Sequence, residues 1–389
     1  MKIAHIITSL EKHGAQMMLY KVLSSMDRTR FDSIVISLAD GGALKDKFAA
    51  LGVVVYSAGM KKGVPTPGSV YRFARLMKQI KPDLVQGWMY HGNLAAQLAV
   101  ALLRGRIPAV WNIRGSSFNL KDEKPATAAI IWLGGKLSGL PKAIINNSLV
   151  SAVRHEERLG YRLDKREIIP NGFDTDRFIP SAEARLSLRG ELGLSDDAIL
   201  IGMLARFHPM KDHANFLQSA ALLLKDHPQT HFVLSGEGVD RSNEELRDLM
   251  ERLSIAGRVH LLGERSDVSR IAAALDIAVL SSAYGEGFPN VVGEAMACGV
   301  PCVVTDVGDS AFVVGETGRA VSPRNASVLA RAMRELIEMG AQSRHELGRA
   351  ARQRVMENFS IEAIARKYES LYQHLTPALE EKEASRCVA

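Results

Sequence analysis

Short apolar runs that read as buried strands alternate with helical stretches along this chain, and the alternation begins anew in its second half. A strand at 2–8 leads through a Gly-containing turn into a helix at 15–25. Strands at 33–38, 53–56, 84–87, 109–113 and 142–146 then alternate with helices at 44–51, 69–80 and 91–103. The second pass has strands at 198–204, 230–235, 259–262, 277–280 and 301–305. Its helices fall at 212–225, 244–253, 268–274, 291–297, 326–339 and 343–358. Apolar strands joined by amphipathic helices build parallel, doubly wound sheets. Single cores stop growing at roughly 250–300 residues, so 389 residues in two passes predict two Rossmann-like domains. The junction lies within 175–195, where apolar periodicity is weak, and a last helix spans 368–375.

Composition narrows the partners. The chain is 47% apolar and 24% charged, ordinary for a globular protein. No run approaches the ~18 apolar residues of a membrane span, the best being 94–103, which Gln97 interrupts. The first residues read as a buried strand and not as a signal peptide, so a cytoplasmic location is expected. Cys298, Cys302 and Cys387 make neither a disulfide nor a zinc framework, and the first two read as small buried residues. Net charge is +6 but uneven: residues 1–180 hold 26 Lys/Arg against 14 Asp/Glu, leaving +12, and the remainder carries −6. An anionic partner for the first half follows. No nucleic-acid motif or basic-aromatic stripe is present, so the choice is between an anionic membrane surface and a merely solvated basic face.

The run from Tyr284 to Pro301 sets Glu286 and Glu294 eight positions apart across a turn punctuated by Gly285, Gly287 and Pro289. It lies between a strand and a helix, so the stretch from Phe288 to Val292 offers backbone amides at a helix start, a ready anion site. Carboxylates beside such a site suit sugar or ribose hydroxyls. Phosphate and sugar together point to a nucleotide sugar.

That acidic pair in its Gly-Phe-Pro-Asn setting resembles the motif of the retaining glycosyltransferases of family four, which have the GT-B fold. Four further matches fall in order: His13-Gly14-Ala15-Gln16; Ile169-Pro170-Asn171-Gly172-Phe173-Asp174 with Phe178; Ile201 to Arg206 with Lys211; and Ser235-Gly236-Glu237-Gly238. The resemblance runs from Met1 to about Leu375. It implies two Rossmann-like domains facing a cleft, an acceptor-side domain at 1–178 and a nucleotide-sugar domain at 179–360. A helix at 361–376 would cross back to the first domain, and a tail at 377–389, polar and acidic, is expected to be disordered.

Arg206 and Lys211 fall after a strand at the carboxyl edge of the second sheet, where such folds bind ligands. A departing diphosphate needs positive charge aimed at it, and by resemblance these two clamp it. Glu294 resembles the carboxylate that holds the ribose. Glu286 resembles the one facing the donor sugar, either binding a hydroxyl or stabilising developing positive charge. Asn290 and the backbone of Phe288, Pro289, Val291 and Val292 complete the cradle. Gly14, with Gln16 at the family position, lies in the first turn, where a glycine lets backbone approach phosphate closely. Glu237 approaches the base or marks a simple turn.

One position departs from the family. Relatives often carry histidine at the end of the strand at 109–113, and here it is Arg114, which cannot act as a base. His91 ends the preceding strand and either supplies the titratable group or caps its helix. Asn146, Asn147 and Ser148 are expected to line the acceptor side. No cluster has metal-ligand spacing, so no metal or other cofactor is expected. The resemblance thus implies a retaining transfer of a hexose, UDP- or GDP-linked, to a glycan or lipid-linked acceptor in cell-surface polysaccharide biosynthesis. The chain would work in the cytoplasm, in peripheral contact with the inner membrane face. A GT-B nucleotide-sugar epimerase and a non-catalytic nucleotide-sugar binder are the alternatives.

Overall fold

The computed structural model describes residues 1–60, 65–115, 120 and 123–376. Cys387 and the tail at 377–389 lie outside the described residues. The chain divides into two compact units, Met1–Gly172 with everything from Ile361 onward, and Phe173–Ser360. The division falls at Gly172 and not at 178, because the Phe173 amide donates to the Phe359 carbonyl (2.8 Å) and Phe173 bridges to Ser360.

The first unit runs β1 (Lys2–Ile7), α1 (Gly14–Ser25), β2 (Asp32–Ala39), α2 (Lys45–Ala50), β3 (Val54–Met60), α3 (Pro67–Ile80) and β4 (Leu84–Trp88). It continues with α4 (Met89–Leu102), β5 (Ala109–Ile113), α5 (Pro125–Leu137), β6 (Ala143–Asn146), α6 (Leu149–Leu159) and β7 (Arg166–Ile168). All seven strands are parallel, in the order β3-β2-β1-β4-β5-β6-β7, so the strand order reverses between β1 and β4. β4 and β5 are buried throughout, so they read as mostly apolar runs, with Gln86 and Asn112 as buried polar members. α3 begins two residues before the apolar periodicity suggests. Thr66 Oγ1 accepts from the Ser69 amide (3.2 Å), Ser69 Oγ accepts from the Thr66 amide (2.8 Å), and Pro67 opens the first turn.

The second unit runs α7 (Ala182–Leu192), β8 (Leu200–Leu204), α8 (His213–Leu223), β9 (His231–Ser235), α9 (Glu244–Arg252), β10 (Val259–Leu261), α10 (Val268–Ala274) and β11 (Ile277–Leu280). It ends with α11 (Asn290–Ala297), β12 (Cys302–Thr305), α12 (Ser310–Val314), β13 (Arg319–Val321), α13 (Ala326–Glu338) and α14 (Gly340–Asn358). Its six parallel strands lie in the order β10-β9-β8-β11-β12-β13, reversing between β8 and β11. Cys298 and Cys302 are buried here as free thiols, and burial pushes Cys298 up to about 12.

The segment expected to be a linker contains α7, and the reason is Arg189. This side chain is fully buried in a core position, which disguises the helix's periodicity. Its guanidinium donates to the carbonyls of Ala198 (2.9 Å) and Ala274 (3.0 Å) and pairs with Asp276 (2.6 Å). Asp276 also accepts from the Leu200 amide (2.8 Å), so α7 is tied to the starts of β8 and β11.

The last helix, α15 (Ile361–Leu375), packs against α1 within the first unit. Two fully buried tyrosines hold it there. Tyr368 stacks on Trp88 (6.0 Å, 19°), and its hydroxyl accepts from Asn112 Nδ2 (2.9 Å) and Arg114 Nη1 (2.8 Å). Tyr372 donates to Gln86 Oε1. Trp88 Nε1 donates to His5 Nδ1 (3.4 Å), and burial pushes His5 down to about 3, keeping it a neutral acceptor. Among the described residues no helix is long and apolar enough to cross a membrane. Removing the Tyr368 hydroxyl takes the acceptor from Asn112 Nδ2 and from Arg114 Nη1. We therefore expect Tyr368→Phe to cost about 2–3 kcal/mol in urea unfolding, with exposed Tyr71→Phe unchanged; equal midpoints for both would contradict this network.

Candidate functional site

Open α/β sheets bind ligands outside the carboxyl ends of their strands, where the strand order reverses. In the second unit that point lies between β8 and β11, and the loops following these two strands carry Arg206, Lys211 and Glu286. The loop after the neighbouring β9 carries Glu237.

Backbone contacts fix the β8 and β9 loops against each other. The Ala205 amide donates to the Ser235 carbonyl (2.9 Å) and the Phe207 amide to the Glu237 carbonyl (2.7 Å). Gly236, at φ +156°, lets these loops meet: a Cβ there would lie 2.3 Å from the Ala205 oxygen. Arg206 and Glu237 consequently stand together at the sheet edge, both exposed. Among the described residues the Arg206 guanidinium has no hydrogen-bond or ion-pair partner.

Lys211 ends a short turn that starts at Pro209. Ser281 Oγ donates to the carbonyl of Lys211 (2.8 Å), and the Ala283 amide donates to that of Met210 (2.8 Å), so the end of β11 clasps this turn. Asp212, at φ +51°, then caps α8 by accepting from the Asn215 amide (3.1 Å). Lys211 Nζ is thereby delivered to Glu286 Oε1 at 2.5 Å. Ser282 Oγ donates to the same oxygen (2.5 Å). Glu286 is only 7% exposed, and among the described residues its Oε2 accepts no hydrogen bond. A buried carboxylate is retained only when paired, and this one is paired while keeping one oxygen for a further donor.

The loop bearing Glu286 is braced from the other side. Gly308, at φ +64°, packs against the Glu286 and Gly287 carbonyls, where a Cβ would come within 2.4 Å, and the Asp309 amide donates to Gly287 (2.9 Å). Phe288 is buried between Phe173 (6.0 Å, stacked) and Phe359 (5.5 Å, edge-on), so its ring holds the loop down. Pro289 takes the cap position of α11 and, lacking an N–H, gives the cradle no donor. Asn290 is the first helical residue, followed by Val291 and the buried Val292. Glu294 therefore lies one turn inside α11 and not at its start.

The remaining expected residues sit in the first unit, at the carboxyl edge of its own sheet. Gly14 opens α1 after β1, exposed, with nothing within 4 Å of where a Cβ would be. The space before it is open, so the protein itself does not require glycine there. Gln16 is half-buried two residues on. His91 lies in the first turn of α4, partly buried, and burial pushes its imidazole below the ordinary value. Met89, two residues before it, has φ +62°, a strained conformation for this residue type. Arg114 is committed to its own unit. It bonds Tyr368, Asn171 and the Pro170 carbonyl (3.4 Å), and lies 5.8 Å from the Trp88 ring centroid. Asn147 Nδ2 also reaches Asn171 (3.4 Å), while Ser148 caps α6 and Asn146 donates to Ile144. Ser282, Gly308 and Asp309 support the site without any sequence signal of their own. Among the described residues no three His, Cys, Asp or Glu side chains are grouped to hold a metal ion.

Comparison with known proteins follows the two units. Residues 13–177 match the model described as Glycosyltransferase Family 4, and 185–354 match Glycosyl transferases group 1. The putative glycosyltransferase EpsF of Bacillus subtilis is 32% identical over 37% of this chain and 36% of its own. The Escherichia coli UDP-Gal:alpha-D-GlcNAc-diphosphoundecaprenol alpha-1,3-galactosyltransferase is 26% identical over 64% of each chain. The matched stretches thus span less than two thirds of both relatives. In fold, the chain is similar to Anabaena HepE crystallised with UDP, with TM-score 0.80, 23% identity, and 96% and 100% of the two chains covered.

The ion pair gives a direct test of the geometry. Lys211→Met should cost about 3–5 kcal/mol in urea unfolding, because it strands a buried carboxylate. Adding Glu286→Gln should recover much of that loss. A double variant as unstable as the sum of the singles would mean that the two groups are not coupled.

Proposed function

We propose that this chain, which belongs to the group 1 glycosyltransferases of family four, transfers a sugar from a nucleoside-diphosphate sugar to a glycan or lipid-linked acceptor, with retention at the anomeric carbon. The observation that carries the reading is an Arg206 that has no partner among the described residues, on the same loop as a Lys211–Glu286 pair at the β8/β11 reversal. A planar guanidinium and a compact ammonium suit the non-bridging oxygens of a diphosphate. As the bond from anomeric carbon to diphosphate oxygen lengthens, negative charge grows on the leaving group and positive charge on the sugar. Arg206 and Lys211 stabilise the first. Glu286 faces the second, its Oε2 taking a sugar hydroxyl or opposing the oxocarbenium charge. Its Oε1, already engaged by Lys211 and Ser282, is poorly suited to nucleophilic attack.

Glu294 is assigned to the ribose hydroxyls and Glu237 to the nucleotide side. Gly14 and Gln16, in the first unit, are assigned to phosphate binding. His91 is the group available to take a proton there, since burial keeps it neutral near pH 7, whereas Arg114 is occupied in holding α15. The transfer is proposed to need no metal, cationic side chains supplying the charge. A UDP- or GDP-linked hexose and a cell-surface polysaccharide precursor complete the reading, made at the cytoplasmic face.

A thermal-shift panel of nucleotide sugars should identify one stabilising donor. Arg206→Ala should then lose that shift and lower kcat/KM by roughly 10²–10³, as for a missing oxyanion-hole donor; an undiminished shift would remove Arg206 from the diphosphate. In a separate assay with that donor, turnover should persist in EDTA. Activity abolished by EDTA and restored by manganese would refute the metal-free reading.

A further inference from the structure

Among the described residues of the first unit, nothing covers one apolar helix face. α5 has the sequence PATAAIIWLGGKL, with Lys136 as its one charged residue. Ile131, Gly134 and Gly135 are buried on its inner side, toward α4 and α6. The outer side presents Trp132 (54% exposed) and Leu133 (40%), and Leu140 just past the helix is 56% exposed. Positions 129, 132, 133 and 136 recur at helical spacing and are all exposed. α4, packed alongside, adds Leu98 at 40%. Soluble chains seldom leave such neighbours bare without a partner.

Charge selects the partner. Residues 84–155 contain eight Lys/Arg and two Asp/Glu, so this stretch alone carries +6, equal to the net charge of the whole chain. Lys136 Nζ lies 5.8 Å from the Trp132 ring centroid, pairing a cation with the most exposed aromatic of the helix. Arg104 and Lys142 are exposed at the ends of the neighbouring elements. Apposing two copies of this face would bring like charges together. An anionic surface receives them instead.

We propose that the α5 face docks the chain on an anionic lipid bilayer. Trp132, Leu133 and Leu140 enter the boundary between headgroups and acyl chains, and Lys136, Lys142 and Arg104 meet the anionic headgroups. The inference rests on the proposed function only in placing a lipid-linked acceptor at that membrane; donor binding plays no part in it.

Trp132 is its own reporter, because Trp88 and Trp111 are fully buried. The purified full-length chain is mixed with vesicles of phosphatidylcholine and phosphatidylglycerol, and with phosphatidylcholine alone. Expected are cosedimentation and a blue-shifted tryptophan emission with the anionic vesicles, both reduced by high salt and weak on the neutral ones. Trp132→Asp with Leu133→Asp should weaken vesicle binding roughly tenfold or more while leaving the UDP thermal shift intact. Wild-type vesicle binding by that variant, or unshifted emission on anionic vesicles, would overturn the proposal. So would light scattering that finds a dimer in the wild type and a monomer in the variant, assigning the face to a second copy. Vesicle binding without any nucleotide-sugar binding leaves the docking surface standing and removes the transferase reading; the reverse result does the opposite.

Discussion

A buried carboxylate cannot remain ionised without a partner, and the second unit is organised around supplying one. Glu286 meets Lys211 Nζ and Ser282 Oγ on a single oxygen. That meeting joins the loop after β8 to the loop after β11, the two strands between which the sheet reverses its order. Much else in the unit serves the same contact. Ser281 clasps the Lys211 turn, Phe288 pins the acidic loop between two phenylalanines, and Gly308 allows the next loop to press on its backbone. The pair is therefore structural, and under the proposed function it is chemical as well. It stabilises the two loops, holds the ammonium near the expected diphosphate, and leaves Oε2 for a ligand.

The first unit applies the same economy differently. Its polar core residues, from His5 and Gln86 to Asn112 and Arg114, are largely spent on docking α15 through Tyr368 and Tyr372. Arg114 stands where relatives often carry a histidine, and the structure shows what the guanidinium does there. Its donors go to Tyr368, Asn171 and Pro170, contacts that an imidazole could not span. The positively charged residue is therefore an anchor for the C-terminal helix.

The order of strands and helices was legible because parallel strands buried on both faces leave continuous apolar runs. α7 escaped notice because Arg189 fills a core position that a hydrophobic residue would have made visible. α5 escaped because it is apolar on both sides and so lacks periodicity. Of the candidate site, Arg206, Lys211 and Glu286 were legible as residue types in a motif, and the structure places all three on the loops after β8 and β11. Their pairing was not legible: Lys211 and Glu286 lie 75 positions apart, and Ser282, Gly308 and Asp309 reach the acidic loop through tertiary contacts that no local pattern in the sequence marks. The helix expected at 291–297 begins one residue earlier, at Asn290, directly after Pro289.

A crystal structure of this chain with UDP bound tests the central claim most directly. The account predicts diphosphate oxygens within roughly 3 Å of the Arg206 guanidinium and the Lys211 ammonium, with the ribose facing Glu294. UDP bound elsewhere, or in this position with neither cation touching its phosphates, would contradict it.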